Sequence, residues 1–169
     1  ELNKLYNPIG DVGSPEIAML LLKHGYVKSI KEAFEKYLIE AYDQVRNKAF
    51  YLEAKEVIEL ILGANGIPIL AHPISLKKDI KELEEYIVEL VEYGLAGIEV
   101  YHPDQPMEYR IKLLQIAHKY GLVVTGGSDY HGPVMKPHIT LGHGINNNNI
   151  IVDLNITKFL NDKGHQYVK

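Results

Sequence analysis

Between Leu52 and Gly126 the chain passes three times from an amphipathic helical pattern to a short apolar run, and few folds accommodate that rhythm. Ala54, Val57, Ile58, Ile61 and Leu62 recur at helical spacing over residues 53–62, and Gly63-Ala64-Asn65-Gly66 stops them. A strand is expected at 67–71. Ile80, Leu83, Ile87, Leu90 and Val91 form one face of a helix from about 78 to 93, which Gly94 ends before a strand at 97–101. Tyr109, Leu113, Ile116, Ala117 and Tyr120 line a helix over 106–120, which Gly121 closes before a strand at 122–126. Such repetition builds parallel strands through right-handed crossovers, so the expected class is α/β with all strand carboxyl ends on one side.

The three runs finish alike. Ile67-Pro68-Ile69-Leu70-Ala71 ends in His72-Pro73, Gly97-Ile98-Glu99-Val100 leads into Tyr101-His102-Pro103-Asp104, and Val123-Val124-Thr125-Gly126 opens into Gly127-Ser128-Asp129-Tyr130-His131-Gly132. Proline cannot continue a central ladder, so His72 is left at a carboxyl edge. Asp129 and His131, at i and i+2, would point the same way if the strand ran on. In α/β proteins ligands bind outside the carboxyl ends of the strands. A carboxylate and an imidazole converging there suit a divalent ion such as zinc, manganese or iron. The plain alternative is a turn in which both side chains bond nearby backbone. Against it, eight histidines placed at random would seldom put three at or just beyond the ends of the three clearest strands.

Other residues carry weaker expectations. Glu99 lies within a strand, where a buried carboxylate needs a partner, and it is expected to orient a ligand histidine. His102 reads either as a substrate contact or as part of a capping turn before the next helix. His143, in a Gly-flanked loop, is a second candidate for substrate contact, whereas His24, His118 and His165 are expected to face solvent.

The opening is helical. Ser14-Pro15 reads as N-cap and first turn of a helix to His24, with Gly25 as its stop. Ser29-Ile30-Lys31-Glu32 has the capping-box pattern, followed by Ala33, Phe34, Tyr37 and Leu38 as the stripe of a second short helix. Residues 40–51 look irregular and link a helical unit, 1–51, to the α/β unit, 52–169. In the tail, Asn146 to Asn149 is expected to be loop, 150–154 a strand, and Asn155 the cap of a last helix through Phe159-Leu160.

Composition narrows the function. With 46% hydrophobic and 24% charged residues the chain reads as globular. It has no cysteine, which removes disulfides, thiolate zinc sites and cysteine nucleophiles and suits a reducing compartment, the cytoplasm. No run reaches the roughly 18 apolar residues of a membrane span. A net charge of -4 argues against extended nucleic-acid contacts, while a small phosphorylated substrate stays compatible because bound metal supplies positive charge locally.

Ala33-Phe34-Glu35-Lys36-Tyr37-Leu38, Ala71-His72-Pro73, Gly97-Ile98-Glu99-Val100 and Gly127-Ser128-Asp129-Tyr130-His131-Gly132, in that order, resemble the later half of the PHP (polymerase and histidinol phosphatase) family. The nearer branch is its metal-dependent phosphoesterases, which include nucleoside 3′,5′-bisphosphate phosphatases. The resemblance covers about residues 14–160. It implies part of a distorted, TIM-like (β/α)₇ barrel with a small helical insert before it, and two or three divalent ions, commonly Mn, Zn or Fe, at the strand ends. His72, Asp129 and His131 would be metal ligands, with Asp129 and His131 also catalytic, in hydrolysis of phosphate esters of nucleotides or other small molecules by metal-activated water. The family's earlier motifs, a His-x-His, an Asp-Gly turn, a Thr-Asp-His-Asp-like strand end and a bridging glutamate, are absent, and where relatives often read Arg-Pro-His-Ile-Ala this chain has Ser14-Pro15-Glu16-Ile17-Ala18. The expectation is that the rest of the barrel lies upstream in a longer chain or in a partner, and that open sheet edges are closed by a homodimer, by chain exchange or by that segment. Two competing readings are a non-catalytic binding or regulatory remnant of a PHP domain, and an amidohydrolase-type metal hydrolase, which the lack of a strand-end lysine disfavours.

Overall fold

The computed structural model describes residues 13–46, 51–145 and 150. The loop expected at 146–149, the strand expected beyond Ile150, the last helix and His165 lie outside the described residues. The chain divides into two compact units, Glu1–Tyr51 and Leu52–Lys169.

In the first unit, helix α1 (Ser14–Lys23) takes Gly13 rather than Ser14 as its cap. Glu16 sets that frame, because its carboxylate accepts the Gly13 N–H at 2.9 Å. Ser29 caps the next helix as its sequence suggests, its hydroxyl accepting the Glu32 N–H at 3.1 Å, but the Glu32 carboxylate reaches one residue further back, to the Lys28 N–H. That second helix, α2, runs as Ile30–Ala33, a π-helical turn at Phe34–Leu38, and Ile39–Arg46. Residues 40–46 are therefore helical, not an irregular link. No glycine or proline interrupts 30–46, and a Glu40–Gln44 hydrogen bond spans one turn of its exposed surface. Ala18, Val27 and Ala33 are buried under Leu21, Leu22, Ile30, Phe34 and Leu38.

The second unit follows the expected alternation: α3 (Ala54–Gly63), β1 (Ile69–Leu70), a 3₁₀ turn (Pro73–Leu76), α4 (Ile80–Tyr93), β2 (Gly97–Tyr101), α5 (Met107–Tyr120) and β3 (Val123–Gly126). Asp79 caps α4 by accepting the Lys81 and Glu82 N–H groups at 2.9 Å. Among the described residues the parallel sheet has three strands in the order β1-β2-β3, with Ile69 opposite Gly97 and Gly97 opposite Val123. Gly97 is required there, since a Cβ would lie 2.6 Å from the Ile69 side chain and 2.7 Å from the Val123 carbonyl oxygen. Strand β1 is shorter than the five residues expected. Ile58, Leu83, Ile87, Leu90, Ile98, Val100, Leu113 and Ile116 form the core between helices and sheet. Past the sheet come a one-turn helix, α6 (Gly132–Met135), and an antiparallel pair, β4 (Ile139–Thr140) and β5 (Gly144–Ile145), which the sequence did not announce.

Candidate functional site

Because β1, β2 and β3 are parallel, the segments that leave their carboxyl ends share one rim. His72 leaves β1 in the left-handed region, φ 43°, a costly conformation for a residue with a Cβ. It is held there by Glu99 of β2, whose carboxylate accepts the His72 backbone N–H at 2.8 Å. Glu99 thus acts on the main chain of His72 and not on its ring. Nε2 of His72 is buried with no hydrogen-bond partner, 3.8 Å from the Asp104 carboxylate.

The His72 ring stacks on His102, with centroids 3.7 Å apart and planes 20° from parallel. His102 is 3% exposed, and the chain around it is heavily tied. Its carbonyl accepts the Gln105 N–H at 3.1 Å and the Arg110 guanidinium at 2.9 Å. Gln105, also buried, donates to the carbonyls of Glu99 and Val100, where the pairing of β2 with β3 shifts register between Glu99 and Tyr101. Nδ1 of His102 accepts the Asp104 N–H at 3.2 Å, which leaves the proton of the neutral ring on Nε2, facing Asp129 Oδ2 at 3.5 Å. Burial, then the neighbouring His72, lowers the His102 pKa and favours that neutral form.

Strand β3 ends at Gly126, which lies opposite Tyr101 so closely that a Cβ would come 2.4 Å from the Tyr101 Cβ. Asp129 and His131 therefore do not sit on a continuing strand. Asp129 is left-handed, φ 51°, and Nδ1 of His131 bonds the Asp129 carbonyl at 2.8 Å and lies 3.5 Å from its carboxylate. The two side chains meet through a tight turn instead of strand alternation. With Nδ1–H spent on a carbonyl, His131 presents a lone pair at Nε2, the opposite tautomer from His102. Asp129 Oδ2 also contacts the ammonium of Lys136, just past α6. Burial alone would raise the Asp129 pKa, but Lys136, His131 and His102 outweigh it and hold the carboxyl below its ordinary range.

His72, His102, Asp129 and His131 thus form a continuous series of contacts. Ligand atoms of His72, His102 and Asp104 also lie within 4.8 Å of one another, a grouping that could hold a metal ion and that brings in Asp104. Asp104 had no strand-end position to single it out; its only sequence signal was adjacency to His102-Pro103. His143, in contrast, is exposed and bonds its Nδ1 to the Leu141 carbonyl at 3.1 Å. Its loop is tied to the rim through Gly142, whose N–H donates to Ser128 at 3.1 Å. His24 and His118 are exposed, as expected.

A metal ion fits this rim. Among the described residues His72, His102 and Asp104 are the one group whose ligand atoms lie close enough to share an ion. The His72 Nε2 beside the Asp104 carboxylate lacks a hydrogen-bond partner, as do the buried Gln105 Oε1 and Arg110 Nε, where buried polar atoms are nearly always partnered. Asp129 and His131, expected to ligate together with His72, are linked to it only through His102.

Known proteins resemble the chain accordingly. It is 37% identical over 53% of its length, and 32% of the relative, to a phosphoribosyl 1,2-cyclic phosphate 1,2-diphosphodiesterase of Eggerthella lenta. It is 31% identical to a 5'-3' exoribonuclease of Haemophilus influenzae, covering 73% of this chain and 45% of the relative. A 3',5'-nucleoside bisphosphate phosphatase of Chromobacterium violaceum is 26% identical, with 72% and 42% covered. A solved structure from Bifidobacterium adolescentis, described as a metal-dependent phosphoesterase, superposes with a TM-score of 0.67 at 30% identity, over 90% of this chain and 51% of that one. The chain spans less than half the length of these curated relatives. No family model matches it. Together the relatives support a PHP-like phosphoesterase family, and with the His-His-Asp group they point to use of a divalent metal.

Proposed function

We propose that this chain carries the later part of a PHP-type, metal-dependent phosphoesterase site, acting on phosphate esters of nucleotides or other small molecules. The observation that carries this reading is the chain of contacts along the strand-end rim, His72 to His102 to Asp129 to His131, with the His72 Nε2 buried and unpartnered. In this reading His72, Asp129 and His131 hold the divalent ion, manganese, zinc or iron, and Asp104 is a further carboxylate within reach of His72. When bound, such an ion polarises a phosphoryl oxygen and makes a neighbouring water nucleophilic at neutral pH.

The protein groups have distinct tasks. His131 is pinned by the Asp129 carbonyl with Nε2 free, and His72 is pinned by Glu99 with Nε2 turned inward. His102 turns its Nε2–H toward the Asp129 carboxylate, 3.5 Å away, because its Nδ1 is taken by the Asp104 amide. Asp129, ionised at neutral pH, is placed to take a proton from the attacking water. His143 is a candidate contact to the substrate, from the loop tied to Ser128.

The whole protein's reaction belongs to this proposal, because the chain matches under half of each curated relative. Within it, the remaining ligands come from a preceding segment or a partner, which also covers the edges of the three-stranded sheet. Absence of cysteine supports a cytoplasmic setting, and no described helix is long and apolar enough to cross a membrane. The test is complementation. Supplying the N-terminal half should restore Mn²⁺-dependent phosphate release from nucleoside bisphosphates and other small esters, and 5′-phosphorylated oligoribonucleotides in the same panel tell a mononucleotide enzyme from a nuclease. No release from any member would refute the reading.

A further inference from the structure

The ammonium of Lys136 rests on the same Asp129 oxygen, Oδ2, that faces His102 Nε2. A cation from the chain itself therefore sits on a carboxylate that the proposed function assigns to a metal ion. A divalent ion and an ammonium on one carboxylate repel each other, so each weakens the other's hold on it.

The geometry of Lys136 favours a short excursion. Its backbone is fixed on both sides, its N–H donating to the Gly132 carbonyl at 3.1 Å and its carbonyl accepting the Ile139 N–H at 3.0 Å. Its side chain is 31% exposed, so the ammonium can swing on its flexible stem from Asp129 toward the open face of the rim. Among the described residues Arg110, also near this rim, is not free to do so, because it is buried and donates to the His102 carbonyl. Among the described residues the other ionisable groups in contact with the Asp129 carboxylate are the His102 and His131 imidazoles, a poor lining for an anionic ester without a further positive charge.

We propose that Lys136 is a substrate-binding residue that contacts a phosphoryl oxygen: it neutralises Asp129 in the metal-free protein and passes to the bound phosphate when a divalent ion takes the carboxylate. This rests on the metal-site reading above. It makes Lys136 both a competitor of the metal and a partner of the anion.

The two effects have opposite signs, which a merely structural lysine would not produce. In the 169-residue chain, Lys136→Gln should bind Mn²⁺ about tenfold more tightly by calorimetry and bind inorganic phosphate in saturating Mn²⁺ about tenfold more weakly. Lys136→Arg, which keeps the charge, should keep both constants near the parent values. Phosphate affinity unchanged in Lys136→Gln overturns the inference whatever happens to Mn²⁺, and leaves the metal site standing. Absence of Mn²⁺ binding in parent and variants alike, with urea unfolding showing all of them folded, overturns the metal-site reading and this inference with it.

Discussion

At the end of β2 the chain buries Gln105 and Arg110 and aims their donors at backbone carbonyls, whereas at the end of β3 it leaves Asp129, His131 and Lys136 partly exposed and gathers them around one carboxylate. Gln105 and Arg110 are 1% and 5% exposed and hold the carbonyls of Glu99, Val100 and His102. Asp129, His131 and Lys136 are 27%, 47% and 31% exposed; Lys136 meets the Asp129 carboxylate and His131 bonds the Asp129 carbonyl. The first end is scaffolding for a ring that must not move. The second keeps partly solvated groups that can exchange partners, as the proposed metal and phosphate site would require. Stability and reactivity are thus divided between neighbouring strands, and substitutions should separate them.

The largest loss of stability is expected at the β2 end. Gln105→Leu removes the side-chain donor to the Glu99 and Val100 carbonyls, and Arg110→Met removes one of the two donors to the His102 carbonyl; each should cost about 2–4 kcal/mol by urea unfolding. Gly126→Ala comes next, at about 1–3 kcal/mol, because the new Cβ would press on Tyr101. At the β3 end the balance reverses. Asp129→Asn should shift unfolding by less than about 1 kcal/mol, since its ion pair is partly solvated, yet abolish measurable Mn²⁺ binding.

A pH dependence should follow from His102 in chelator-treated protein. Its folded pKa is lowered, so the unfolded chain takes up the proton first. Stability should be unaffected by this residue above about pH 6.5 and fall as the pH drops through that value toward the folded pKa. His102→Gln should flatten this slope; an unchanged slope would show that the ring is not buried neutral. The smallest effect is expected far from both ends. Lys119, raised to about 12 by its hydrogen bonds to Glu84 and Tyr120, is solvent-exposed, and Lys119→Met should move the unfolding midpoint least of all.

Much of this comparison was legible in the sequence, but unevenly. Helical periodicity and glycine stops located α3, α4 and α5 to within two residues, and Gly97 to Tyr101 emerged as a strand with the expected bounds. These signals are local, so no tertiary knowledge was needed. The strand-end histidines could be gathered onto one rim because parallel topology follows from alternation. Other features depend on contacts that leave no local trace. Strand β1 ends at Leu70, where its chain turns toward the left-handed His72 held by Glu99 from 27 positions away, and it starts only at Ile69, after Pro68, which has no N–H to pair. The roles of Gln105 and Arg110 depend on the register shift in β2, which no periodicity reveals. Asp129 and His131 do come together, but by a left-handed turn that the Asp-x-His spacing alone could not distinguish from a strand.

In the proposed site His72 and His131 present ring nitrogens to one divalent ion while His102, though its ligand atoms lie near those of His72 and Asp104, does not. Titration of imidazole-labelled protein with substoichiometric Mn²⁺, followed by NMR of the ring carbons and nitrogens, tests it directly. The account predicts that His72 and His131 broaden first and most through Nε2, that His102 follows while keeping its proton on Nε2, and that exposed His24 and His118 stay sharp. Uniform broadening of all eight histidines, or broadening led by His102 with loss of its Nε2 proton, would rule this arrangement out.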